Sequence, residues 1–277
     1  MKVLSELIKC ALIAGAVAGG VVQAAEECVP VHKFETLTPG VLTVAAYAFP
    51  PYSIPKGGND ISGVEGEILK VIAKNECLTI KTTVVDPSAV IQSVVSKRVD
   101  IGMGDWYRTA ERNKILGLSA PIYLDAMGII SADGIAKISD LKGKKIGTAQ
   151  GNLWVADLKK ILGDNLVLYP NAVAAAQDLA SNRLQAVADS FAVAIAAQQK
   201  GAYGNNKIVV ADADDRVKAT MQPGQVAFVY TKSNELLGSA LSGNIRAMHE
   251  NGQIKKIVTS FGLNESITEV GEPRLIE

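Results

Sequence analysis

Residues 104–112 read GDWYRTAER and pack two acids, two arginines and two aromatic rings into nine positions. An arginine can fork onto a carboxylate through two charge-assisted hydrogen bonds. An aspartate can hold an ammonium group, and a ring can cover an apolar one. The alternative is a turn that merely solvates the chain. Other chemistry is sparse. His32 and His249 are the only histidines, and both are expected to be solvated surface residues. No His/Cys/Asp cluster has the spacing of a zinc or iron site. Neither a G-x-S-x-G elbow nor a G-x-x-x-x-G-K-[ST] loop occurs. Gly63-Val64-Glu65-Gly66 is no dinucleotide fingerprint, so no cofactor is expected.

The elements around this stretch say where it lies. VLTVAA (41–46) reads as a buried strand, and the two prolines of FPPYS then force an extended turn. Val64, Ile68, Val71 and Ile72 recur at helical spacing, and Ile80, Thr82 and Val84 alternate as in a strand. A helix through Val90, Ile91, Val94 and Val95 precedes a strand over 99–103, which runs into GDWYRTAER. This β-α-β-α-β order predicts a mainly parallel sheet with right-handed crossovers. After PIYLDAMGIIS the alternation restarts with KKIGTA, a GN turn and a helix through Val155, Leu158, Ile161 and Leu162. NLVLYP, 172–180, LQAVAD, 191–199 and KIVVA continue it. GQVAFVY is a further strand, and Leu237, Leu241, Ile245 and Met248 mark the last strong amphipathic helix. Two α/β units follow, with chain crossings near 122–130 and 223–230. FPPYS, GDWYRTAER, QGNLW and ADS then all end strands at one crevice, the edge where open α/β sheets bind ligands.

The first 24 of the 277 residues are expected to be a signal peptide. Lys2 and Lys9 precede an apolar run from Cys10 to Val22, and Val22-Gln23-Ala24 suits cleavage after Ala24. The run is shorter than the roughly 20 residues a membrane span needs; an uncleaved anchor is the alternative. Neither Cys10 nor Cys28 has lipobox context. The whole chain carries 28 basic and 28 acidic residues. Losing Lys2, Glu6 and Lys9 leaves the remainder one negative charge from neutral, which argues against nucleic acid or an anionic membrane as partner. Cys28 and Cys77 remain, and in an oxidising compartment they are expected to pair, stapling the N-terminal arm to the end of the first helix. Two free thiols are the alternative.

Several motifs in one order now carry a resemblance: FPPYS, SGVEGEILKVIAK, KRVDIGMGDWYRTAERNKILGLSAPIY, LKGKKIGTAQGNLW, QAVADSFAVA and HENGQIKKIVTSFG. Over roughly 41–265 the chain resembles the periplasmic amino-acid-binding proteins of ABC importers, solute-binding protein family 3. The resemblance implies the two-lobed α/β periplasmic-binding-protein fold (type II) with its ligand cleft between lobes. Lobe 1 would span 25–125 plus 228–277, and lobe 2 the inserted 126–227, joined by two hinge crossings. It implies a periplasmic monomer that closes on a zwitterionic or cationic amino compound and delivers it to an inner-membrane ABC permease.

Residue by residue, Arg112 matches the arginine that grips the ligand's α-carboxylate, with a structural salt bridge to Glu111 or Asp105 as alternative. Asn152 and Leu153 match the helix N-terminus that offers N–H groups to that carboxylate. Asp189 resembles the acid that holds the α-ammonium; Ser190 shares the stretch, and a helix N-cap is the alternative. Phe49 matches an aromatic over the ligand side chain, against ordinary core packing. Glu65 matches an acid at the pocket floor, against a surface carboxylate. Many relatives have small hydroxyl residues where this chain has Gly104, Asp105 and Tyr107. Asp105 would hold an ammonium group or brace Arg112, and Tyr107 adds bulk. Trp106, Arg108 and Trp154 face either the cleft or the interior. A secreted dehydratase using Glu65, Asp105 or Asp189 as general acid, or a sensory module, are the other functions the resemblance allows.

Overall fold

The computed structural model describes residues 28–57 and 59–277; the expected signal peptide lies outside them. β1 (Val41–Ala46) leads through the turn at 47–53 to a hairpin of β2 (Ile54–Gly57) and β3 (Asp60–Ser62). There follow α1 (Gly63–Asn75), β4 (Thr79–Val84), α2 (Pro87–Val95), β5 (Ile101–Met103), the short α3 (Ala110–Ile115) and β6 (Leu116–Leu118). The chain crosses on β7 (Leu124–Asp125) into β8 (Met127–Ser131), β9 (Ile146–Ala149), α4 (Val155–Leu162), β10 (Leu166–Tyr169) and α5 (Ala172–Ala180). β11 (Ala186–Ser190), α6 (Phe191–Gln199) and β12 (Lys207–Val210) complete that unit. The return crossing is β13 (Gly224–Gln225), followed by β14 (Val229–Thr231), α7 (Glu235–Glu250) and α8 (Gln253–Ser260).

Two five-stranded sheets result, ordered β4-β1-β5-β14-β6 and β10-β9-β11-β8-β12, with β7 and β13 as an antiparallel ribbon between them. β1 pairs parallel with β4 and β5, and β9 parallel with β10 and β11. The other pairings are antiparallel, so the sheets are mixed rather than mainly parallel. The reason is connectivity. A parallel neighbour needs a long crossover, whereas β8 and β14 follow directly from the crossing ribbon and run back from the edge where the parallel strands end.

Burial follows the sequence pattern. α1 buries Val64, Ile68, Leu69 and Ile72 against Leu42, Val44 and Ile101 of the first sheet. That apolar cluster continues through Ile122 and Tyr123 of the crossing to Ile129, Ile146 and Leu158 of the second unit. The N-terminal arm is tied down by the Cys28–Cys77 disulfide, with Cα atoms 5.7 Å apart. Serine at both positions is expected to lower unfolding stability by about 2–4 kcal/mol, the usual value of one cross-link. Urea denaturation checks this; an unchanged midpoint would show that the cross-link contributes nothing.

The histidines correct the expectation of solvated side chains. His32 Nδ1 lies 2.6 Å from the buried Glu76, and His249 Nε2 lies 3.1 Å from the Pro121 carbonyl oxygen. Both rings are half-buried ties between elements, because the arm and the chain crossing fold back over the helices that carry their partners. Among the described residues no helix is long and apolar enough to cross a membrane.

Candidate functional site

The C-terminal ends of β1, β5, β9 and β11 open onto a cleft between the two sheets, and the end of β5 forms its first wall. Gly104 has φ +139°, a conformation that favours glycine, and a Cβ there would meet the Tyr47 ring at 2.3 Å. Asp105 follows with φ +59°. Glu65, in the first turn of α1, holds this turn: its two oxygens accept the N–H groups of Gly104 and Asp105, each at 2.7 Å. The Tyr123 hydroxyl lies 2.7 Å from Glu65 Oε1 and 3.1 Å from Asp105 Oδ1. Glu65 is therefore neither a surface carboxylate nor a wall of the cleft. It is buried behind the loop as its brace, and burial raises its pKa against these hydrogen bonds.

Arg112 stands in the first turn of α3. The cap residue Thr109 accepts the Arg112 N–H at 3.0 Å, so the capping bond sets where the side chain starts. Its Nη1 donates to the Tyr107 carbonyl at 2.8 Å, and the guanidinium lies 5.0 Å from the centre of the Trp106 ring. Among the described residues no carboxylate pairs with it, neither Glu111 nor Asp105. Burial lowers its pKa, and the groups around it, Tyr47 and Asp105 first, oppose that shift. The result is a half-buried cation with free donors.

The facing wall is the approach to α4. Thr148, fully buried on β9, accepts from Asn152 Nδ2 at 3.3 Å and from Trp154 Nε1 at 2.9 Å. Both side chains are thereby occupied. The N–H groups of Leu153 and Trp154 meet no acceptor among the described residues, and the helix dipole adds partial positive charge there. A cavity of about 30 Å³ lies between the walls, lined by Phe49, Asp105, Trp106, Tyr107 and Arg112 on one side and Gly151–Trp154 and Ser190 on the other. It adjoins a wider cleft of about 900 Å³ with an apolar rim that includes Val84, Pro87 and Val173.

Six of the eight expected ligand residues thus meet: Arg112, Asp105, Tyr107, Phe49, Asn152 and Leu153. Glu65 and Asp189 stand behind. Asp189 is buried on β11, accepting the Ser190 N–H at 2.9 Å and facing the Tyr203 hydroxyl at 3.4 Å. Burial pushes its pKa up to about 7. Successive strand residues face opposite sides, so Ser190 lines the cleft instead, and it is also Ser190 that caps α6. Trp106 and Trp154 both line the cavity while being largely buried, whereas Arg108 turns away to the carbonyl groups of Leu118 and Ser119.

Sequence reasoning missed Asp125, Tyr52 and Tyr123. Asp125 lies on the crossing strand β7; the Tyr107 hydroxyl donates to its Oδ2 at 2.7 Å, and the Tyr52 hydroxyl is 3.4 Å from Oδ1. Tyr52 and Tyr123 stack at 4.4 Å. Tyr107 therefore lines the cavity while its hydroxyl is engaged by Asp125. Burial first, and then repulsion from Asp125 and Glu65, raises the pKa of Asp105 well above the carboxylate range. A polar-aromatic alternation Tyr123-x-Asp125 inside PIYLD was the only sequence signal. Among the described residues no group of three or more His, Cys, Asp or Glu side chains is placed to hold a metal ion.

The chain matches the bacterial extracellular solute-binding proteins, family 3, over residues 42–264. It is 24% identical over 214 residues to the L-cystine-binding protein TcyJ of Escherichia coli (strain K12), covering 76% of this chain and 77% of that one. It is 32% identical over 100 residues to the arginine-binding extracellular protein ArtP of Bacillus subtilis (strain 168); that match covers 35% of this chain and 39% of ArtP. Among solved structures, an ancestral arginine-binding protein bound to arginine superposes with a TM-score of 0.69 at 26% identity, covering 80% of this chain and 98% of that one. The substrate-binding protein AbpA from Streptococcus pneumoniae, bound to L-arginine, gives 0.70 at 25% identity, covering 82% and 96%.

Proposed function

The chain belongs to the bacterial extracellular solute-binding proteins, family 3, and from that membership we propose that it captures a small amino acid-like compound for ABC-transporter uptake. The carrying observation is the Arg112 guanidinium, a cation without a carboxylate partner among the described residues, standing opposite the free N–H groups that lead into α4. The ligand's carboxylate bridges those two groups, and its ammonium group meets Asp105. Relatives named for arginine and cystine, and solved relatives holding arginine, support an amino acid.

Closure brings lobe 2 (126–227) onto lobe 1 (25–125 plus 228–277) about the β7–β13 ribbon. Because the ligand touches both lobes only when they are closed, it shifts the population to that state. The monomer works in the periplasm after losing residues 1–24, and the closed form is what the permease receives. The protein binds and does not convert its ligand.

Mass spectrometry of whatever is released on denaturing the purified protein tests this, followed by thermal-shift screening with arginine, cystine, glutamine and histidine. One molecule per chain bearing both amine and carboxylate is expected, and it should raise the melting midpoint. A retained molecule without a carboxylate would sink the assignment. Turnover of the added compound would point instead to catalysis, with Glu65, Asp105 or Asp189 as the acid.

A further inference from the structure

We propose that the C-terminal segment 270–276 is a strap that holds the Gly104–Arg112 loop against the crossing strand β13, with Gln225 as the positioning residue that fastens it. The segment lies beyond the stretch matched by the family, which ends at residue 264. Residues 107–110 run as the middle strand of a small three-part patch. On one side Tyr107 bridges to Val226, and the Arg108 N–H donates to the Gln225 carbonyl at 2.8 Å. On the other side Thr109 bridges to Ile276: the Ile276 N–H donates to Arg108 O at 3.0 Å, and the Ala110 N–H donates to Ile276 O at 2.9 Å. The strap thus clamps both neighbours of Thr109, the residue whose hydroxyl caps the turn that carries Arg112.

Gln225 is 1% exposed, and its amide is spent entirely on the strap. Nε2 donates to the carbonyl groups of Val270 at 2.8 Å and Glu272 at 2.7 Å, and Oε1 accepts the Arg274 N–H at 2.8 Å. Arg274 adds a bond from Nη2 to Pro223 O at 2.5 Å. One side chain of the hinge ribbon therefore holds three points of the strap, whose far end holds the loop. Hinge and Arg112 loop, already bonded directly at Arg108 and Gln225, are joined a second time through a segment outside both sheets. The strap buries little apolar surface, since Gly271, Glu272 and Pro273 are exposed and only Ile276 packs partly against the core. Backbone bonds with little burial open at low free energy, so the strap can release while the lobes stay folded. This holds whatever Arg112 grips.

Amide exchange measured by NMR on full-length Gln225→Ala and, separately, Ile276→Pro tests the inference. Proline removes the N–H that Ile276 donates to Arg108 O and, with it, only the partial packing of this one side chain. The diagnostic amides are Gly104, Asp105 and Arg112, which bond to Glu65 and Thr109 and not to the strap. They are expected to exchange about tenfold faster in both variants, while Leu241 and Ile245 of α7 keep their rates. Unchanged exchange at the three amides would show that the tail only covers the loop. Equal acceleration in α7 would show general loosening, and either result overturns the proposal.

Discussion

Arg112→Ala is expected to weaken binding of the co-purifying ligand by about 2–5 kcal/mol, the cost of stranding a desolvated charge partner. The side chain enters no ion pair among the described residues, so its loss removes no internal carboxylate's partner. What it does give up inside the protein is one bond to the Tyr107 carbonyl and a cation–π contact with Trp106 of about 0.5–1 kcal/mol. Affinity should therefore fall far more than unfolding stability does. Arg112→Lys keeps the charge without the fork and should lie between the wild type and alanine. Calorimetric titration of ligand-stripped protein decides it; equal affinity in wild type and alanine variant would remove Arg112 from the site.

The empty protein is expected to become more stable as the pH is lowered from about 8 toward about 5, against the usual direction for a carboxylate-rich protein. The sign comes from burial. Glu65, Asp105, Asp125 and Asp189 all have folded-state pKa values raised, with desolvation the largest cause in each. The native state then binds more protons than the unfolded chain. Its stabilisation is fully present below the unfolded values and is lost as the pH rises through the folded ones. For Asp189 the window runs from the ordinary 3.8 to about 7, a span worth about 4 kcal/mol. His249, whose pKa burial lowers, acts in the opposite sense but is a single group. Asp189→Asn keeps an acceptor for the Ser190 N–H and removes the titration, so its melting midpoint should depend less on pH. A midpoint that rises steadily from pH 5 to 8 in the wild type would contradict this account.

These acids also mark how far residue-level reading reached. Strand patterning brought GDWYRTAER and QGNLW to one crevice edge, and it was the family resemblance that singled out Arg112 and the approach to α4 within them. Glu65 was visible as an acid in the right helix. Its task, receiving the N–H groups of Gly104 and Asp105, depends on a contact spanning some forty positions. Asp189 and Ser190 were inseparable for a related reason: a slip of one residue in a strand exchanges its two faces, and only the pairing of β11 with β8 and β9 settles which residue meets the cleft.

Periodicity and turn residues were enough to indicate the main strands and helices and the edge at which polar residues gather, since these follow from neighbours a few positions apart; the β2–β3 hairpin, α3, β6 and the division of GQVAFVY into β13 and β14 were not legible there. The pairing of Cys28 with Cys77 followed from composition and compartment. The acid-tyrosine network under the loop, the lack of a carboxylate partner for Arg112 among the described residues and the grip of Gln225 on the tail required the folded chain. Asp125 reaches Tyr107 and Tyr52 only after β7 pairs with β13, and Gln225 reaches residues 270–274 across more than forty positions. GDWYRTAER displayed its chemistry from the outset; which of its side chains met the cleft was decided by the positive-φ turn at Gly104 and Asp105 and by the carboxylate that holds it.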